Sequence, residues 1–119
     1  PIGGRLMHEM ALCEGVLQAI EDNAAREGYR RVILVRLEVG ALAGVELEAM
    51  RFGFDAVMKG TIADGARLEI VELPGVAWCM DCGRSVTVAQ RFDDCPECGG
   101  YRLQVTGGEE MRIKELEVD

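Results

Sequence analysis

Cys79-Met80-Asp81-Cys82-Gly83 and Cys95-Pro96-Glu97-Cys98-Gly99 repeat one phrase, Cys-x-x-Cys-Gly, in a C-x2-C-x12-C-x2-C arrangement. Two such knuckles let four thiolates converge on one tetrahedral ion once a short hairpin brings them together. The glycine after each pair is free to adopt positive φ, which turns backbone amides toward the sulfurs. A stretch of about thirty residues is too small to fold on apolar burial alone, whereas structural zinc commonly supplies ~10 to 16 kcal/mol. Four thiolates leave no open coordination position, so the ion expected at Cys79, Cys82, Cys95 and Cys98 is structural zinc. Iron in the same cage would make a rubredoxin-like electron carrier, which geometry alone does not separate from zinc. Disulfides are disfavoured because the chain opens without a hydrophobic secretion core, and a thioredoxin-like redox pair would be a single motif.

Outward from this module the chain changes character. Upstream, Met10, Cys13, Val16, Leu17, Ile20 and Ala24 recur at three- and four-residue steps, which predicts an amphipathic helix over Glu9 to Glu27, stopped by Gly28. Cys13 lies on its apolar stripe and reads as a small buried core residue. Arg31 to Val39 reads as a mostly buried strand, and Gly40 and Gly44 mark the loop after it. A second helix is expected from Glu46 to Lys59 with Leu47, Met50, Phe54, Val57 and Met58 inward, although Gly53 weakens that pattern. Arg67 to Leu73 reads as a strand ended by Pro74 and Gly75. Downstream, after Gly107 and Gly108, Met111 and Ile113 in one phase and Leu116 and Val118 in the other predict a last strand with a bulge. The expected fold is α+β: two helices on a small three-stranded sheet with an inserted four-cysteine zinc ribbon. The expected domains are residues 1–75 with 108–119, and the ribbon over residues 76–107.

Composition narrows the function. In 119 residues, 21 acids against 13 bases give a formal charge of −8, which opposes binding to nucleic acid or an anionic membrane. Within the ribbon, Asp81, Asp93, Asp94 and Glu97 outnumber Arg84 and Arg91 by two, and a zinc tetrathiolate would bring the local charge to about −4. No apolar run approaches a bilayer span, and the reading is of a cytoplasmic chain. One His, one Ser and two Lys leave most catalytic constellations unbuildable. Met58-Lys59-Gly60-Thr61 lacks the glycine spacing of a phosphate-binding loop. The expectation is a protein that is not an enzyme. Exposed strand edges offer a route to a homodimer.

His8 stands between Met7 and Glu9. If Met7 is the biological start and residues 1–6 are a non-native or unstructured extension, its terminal amine, the His8 amide nitrogen and the His8 imidazole form fused chelate rings, with Glu9 adding an amide nitrogen or carboxylate. Deprotonated amides with imidazole suit square-planar nickel(II) or copper(II), a geometry zinc has no electronic reason to prefer.

Met7-His8-Glu9-Met10 opening an amphipathic helix, the two-knuckle ribbon, and the closing Gly108-Glu109-Glu110-Met111-Arg112-Ile113-Lys114 together closely resemble the HypA/HybF family of hydrogenase nickel-incorporation proteins. The resemblance runs from Met7 to Asp119 and takes in Gly44-Val45-Glu46-Leu47-Glu48-Ala49-Met50-Arg51-Phe52. It implies a nickel metallochaperone serving the large subunit of [NiFe] hydrogenase with the nickel-binding GTPase HypB, which would supply the nucleotide chemistry absent here. It also implies that His8 is the essential nickel ligand, that Met7 contributes its amine, that Glu9 tunes or completes the site, and that the ribbon cysteines hold zinc. Glu46 matches an acidic position that approaches nickel in some members, and an N-cap role fits it at least as well. The competing reading is a structural or adaptor zinc-ribbon protein with no His8-dependent nickel binding.

Overall fold

The computed structural model describes residues 7–119 with their side chains; the expectation of a non-native or unstructured extension over residues 1–6 lies outside them. The elements run α1 (Ile2–Glu27), β1 (Val32–Gly40), α2 (Leu47–Met58), β2 (Arg67–Leu73), β3 (Gly75–Cys79), β4 (Arg84–Val88), β5 (Leu103–Gly107) and β6 (Met111–Val118). They form two compact units: Pro1–Leu37 with Val45–Glu69 and Ile113–Asp119, and Glu38–Gly44 with Ile70–Arg112. One three-stranded sheet has the order β2-β1-β6, and the other has the order β4-β3-β5.

In the first unit Cys13, Val16 and Ile20 of the stripe read from sequence are buried on α1, Met10, Leu17 and Ala24 are half-buried, and Glu9, which the stripe did not include, is buried with them. Gly28 ends the helix at φ 80, its amide donating to the Ala24 carbonyl at 2.8 Å. Central β1 buries Val32, Leu34, Val35 and Leu37 completely, as its apolar centre predicts. Helix α2 sets Met50, Phe54 and Met58 into the same core. Gly53 has a packing reason: a Cβ there would stand 3.3 Å from Met10 Cγ and 3.4 Å from Cys13 Sγ, so glycine lets the two helices approach closely. Arg36 on β1 is held between carboxylates of its two neighbouring strands, Glu69 at 2.8 Å and Glu115. The last strand joins beside β1 as expected, and its half-buried Met111, Ile113 and Leu116 change phase along its length.

In the second unit β3 is central and antiparallel to both neighbours, with Ala77 opposite Val86 on one side and Val105 on the other. Its small core joins Ala77, Cys79, Val86, Val88 and Cys95 to Leu42 from the loop after β1. Leu42 is delivered by a tight crossing of three glycines. Leu42 N donates to Gly108 O at 2.8 Å, and Gly40 N donates to Glu110 O at 2.9 Å. A Cβ on Gly40 would overlap the Gly108 carbonyl, and one on Gly75 would stand 2.6 Å from Val88 O and 2.7 Å from Leu42 Cγ. The Gly108 and Val88 contacts are with backbone, which cannot swing aside as a side chain can. Gly40→Ala is therefore expected to cost about 3 kcal/mol, read as a lowered urea midpoint and detachment of Leu42 from the ribbon core.

Candidate metal centre

The ribbon cysteines sit on two matching turns. Cys79 closes β3 and the chain reverses through Gly83, whose amide donates to Cys79 O at 2.9 Å; Gly99 repeats this on Cys95 O at 2.8 Å. Both glycines have positive φ, 67 and 74, as their place after each pair predicts. Backbone amides point at the sulfurs: Cys82 N to Cys79 Sγ at 3.5 Å, Glu97 N to Cys95 Sγ at 3.4 Å and Gly100 N to Cys98 Sγ at 3.4 Å. Two ion pairs brace one turn against the other, Arg102 to Asp81 at 2.7 Å and Arg84 to Glu97 at 3.4 Å. Sequence reasoning missed these braces, because pairing across more than ten residues leaves no periodic signal.

The four sulfurs lie within 4.8 Å of one another. Cys79 Sγ is 3.7 Å from Cys98 Sγ, and Cys82 Sγ is 3.9 Å from Cys95 Sγ. A tetrahedral ion with metal–sulfur bonds of about 2.3 Å separates its ligands by about 3.8 Å, so the donor set fits zinc in size as well as softness. Cys79 and Cys95 are buried, Cys82 is half-buried and Cys98 is exposed. The Cys82 amide draws the Cys79 thiol down to about 7, while burial and the neighbouring thiols push Cys82 up to about 12. One thiolate is thus favoured at neutral pH, and a cation is what would let the others ionise beside it.

The amino-terminal candidates part company. Met7 and His8 are exposed on α1, whereas Glu9 is wholly buried. Its Oε2 accepts the Glu46 amide at 3.0 Å, and its Oε1 has no hydrogen-bond partner. Glu46 is the N-cap of α2: its carboxylate accepts from Glu48 N at 3.2 Å and Ala49 N at 2.7 Å. In an ordinary capping box the third helical residue reaches back to the N-cap amide. That residue is Ala49, which has nothing to reach with, and Glu9 does the work from another helix. The Glu9 side chain, expected beside His8, is thus engaged at the start of α2.

Cys13 is fully buried, with Met50 O at 3.6 Å and Met50 Sδ at 3.7 Å. Burial, helped by the Glu9 charge, pushes its thiol up to about 11. It is the inert core residue its place on the stripe predicts.

A family model described as hydrogenase/urease nickel incorporation, metallochaperone, hypA matches residues 7–118. The chain belongs to the HypA family. Hydrogenase maturation factor HypA of Alkalilimnicola ehrlichii is 65% identical over 113 residues, covering 95% of this chain and 100% of that protein. The HypA of Azotobacter chroococcum is 58% identical over the same shares of each chain. The solution structure of the Ni metallochaperone HypA from Helicobacter pylori superposes with a TM-score of 0.65 at 19% identity, covering 92% of this chain and 96% of that one. HypA proteins are nickel-incorporation metallochaperones of hydrogenase maturation, and this member brings to that family a four-cysteine cluster suited to structural zinc. Among the described residues, no helix is long and apolar enough to cross a membrane.

Two outcomes follow for the helix pair. Glu9→Ala should lose about 1 to 2 kcal/mol in urea unfolding through the lost cap, and Glu9→Gln, which keeps an oxygen for Glu46 N, should recover part of it. The Cys13 thiol is raised by folding, so its contribution is fully present below pH 9 and is lost as pH rises toward 11. Cys13→Ala should flatten that part of the stability-versus-pH curve, measured by chemical denaturation across the range.

Proposed function

We propose that this HypA chain carries nickel(II) as releasable cargo on the first residues of its family match. The His8 imidazole and amide nitrogen, the Met7 amine and a Glu9 donor form the chelate. The observation that carries the reading is the exposure of His8 at the place where the match begins, beside a Glu9 whose carboxylate is tied inward. A cargo site has to release its ion, and fused nitrogen rings on an exposed surface allow a recipient to displace them ligand by ligand. A saturated four-sulfur cage does the opposite. Cys79, Cys82, Cys95 and Cys98 hold zinc(II), which supplies a fixed tetrahedral crosslink and no reaction.

Delivery is to the large subunit of [NiFe] hydrogenase. The nickel-binding GTPase HypB provides the hydrolysis for which this sequence has no phosphate-binding loop. The chain is itself not an enzyme and works in the cytoplasm, where its four ribbon cysteines stay out of disulfides. The Met7 amine is available only in a chain that opens at Met7. Such a chain should bind about one nickel per molecule, and His8→Ala should abolish that binding with zinc content unchanged. Titration followed by elemental analysis reads both metals, and undiminished nickel affinity in the His8→Ala protein rejects the ligand assignment.

A further inference from the structure

Strand β6 is an edge of the β2-β1-β6 sheet, so one row of its backbone groups has no neighbouring strand among the described residues. Which residues carry that row changes along the strand. Just before it Glu110 O accepts from Gly40 N at 2.9 Å, and just after it Asp119 N donates to Arg31 O at 2.9 Å while Asp119 O accepts from Arg30 N at 3.3 Å. The residue turned inward is even-numbered at the start and odd-numbered at the end, which requires a break of phase between them. The side chains agree. Ile113, Leu116 and Val118, one odd-numbered and two even-numbered, line a single open groove of about 470 Å³ with Ala19, Asn23 and Tyr29. Lys114 and Glu115 are both exposed, so the break falls between Ile113 and Leu116. By alternation on either side of it, the backbone groups of Ile113 and Leu116 face the open edge.

That break is the midpoint of β6, and the sequence is arranged symmetrically about it. Forward from Met111 to Lys114 the strand reads apolar, basic, apolar, basic; backward from Val118 to Glu115 it reads apolar, acidic, apolar, acidic. A second β6 laid antiparallel about a twofold axis between residues 114 and 115 sets Ile113 against Leu116 and Lys114 against Glu115. One step further out, Arg112 meets Glu117 and Met111 meets Val118. Apolar pairs and opposite charges in directly opposed positions are what stabilise an antiparallel ladder. A regular strand paired about Lys114 or Glu115 would instead set that charge against its own copy. A phase break and a central lysine ordinarily blunt an edge against foreign strands, but an identical strand carries its break in the same place and charges that answer these. The opposite edge lacks this symmetry: a copy of β2 turned about Ile70 would set Glu69 against Val71 and Leu68 against Glu72.

We infer that β6 is a homodimer interface, at which a second copy of this chain joins edge to edge and completes one six-stranded sheet. The contact is isologous, each strand supplying both halves of the pattern. The second copy covers Ile113, Leu116 and Val118, the last of them 42% exposed in the single chain. The inference does not depend on the cargo reading. One strand pair with a narrow apolar seam lies at the small end of specific interfaces, so association is reversible and depends on concentration.

The test is charge reversal in trans on the zinc-loaded chain. Sedimentation equilibrium of the wild type from about 1 to 500 μM should show monomer passing into dimer. Hydrogen exchange at the Ile113 and Leu116 amides should slow over the same range. Lys114→Glu and Glu115→Lys each oppose like charges twice across the axis, and each alone should dimerise at least ~10-fold more weakly. Mixed one to one, the two variants should associate at least ~10-fold more tightly than either alone, because each now meets the opposite sign in the other. Glu115 also pairs with Arg36, but recovery on mixing is a gain that a loosened fold does not produce. A wild type that stays monomeric throughout overturns the proposal, as does a dimer undiminished by both reversals or a mixture no more associated than its parts.

Discussion

Four sulfurs gathered within 4.8 Å are an unstable arrangement unless something positive sits among them. Each thiol that ionises raises the cost for the next, which is why burial and its neighbours push Cys82 up while an amide draws Cys79 down. The rest of the second unit is thin: strands of five residues, a core of six small or medium side chains, and a fully exposed phenylalanine. Such a body cannot hold thiols together by packing. The cluster and its ion hold the body together instead, with the Asp81–Arg102 and Glu97–Arg84 pairs fixing one turn against the other.

The first unit solves a different problem. Its core is large enough to rely on apolar burial, and polar devices serve to orient elements within it. Gly53 gives up helix propensity so that α1 and α2 can approach at Met10 and Cys13. Glu9 crosses between the helices to satisfy the amide of an N-cap whose own helix has only Ala49 where a reaching side chain is needed. The unpartnered Glu9 Oε1 is the residual cost of that arrangement.

Periodic features were legible in the sequence. The α1 stripe, the β2 limits at Arg67 and Leu73, and the phase change in β6 follow from apolar spacing, and Glu46 and Gly28 follow from capping chemistry. The knuckle spacing announced the sulfur cluster and the positive φ at Gly83 and Gly99. The ribbon strands were less visible because half their side chains face solvent and their cores are Ala, Val and Cys. Leu42 gave no signal, since one leucine between glycines has no period. The inward turn of Glu9 was hidden for a related reason: a carboxylate on an apolar stripe looks like an exposed neighbour of His8 until the amide it meets, 37 residues on, is known.

That buried carboxylate places two demands on one position. Residue 9 serves a helix that begins far along the chain and is the sequence neighbour of the imidazole proposed to take the cargo. Because its partner is a backbone amide that every residue except proline carries, no change at residue 46 relieves the demand, and residue 9 can vary only to a side chain that still accepts that amide. A substitution that removes the acceptor would loosen the start of α2, a cost felt 37 residues away from the site of the change.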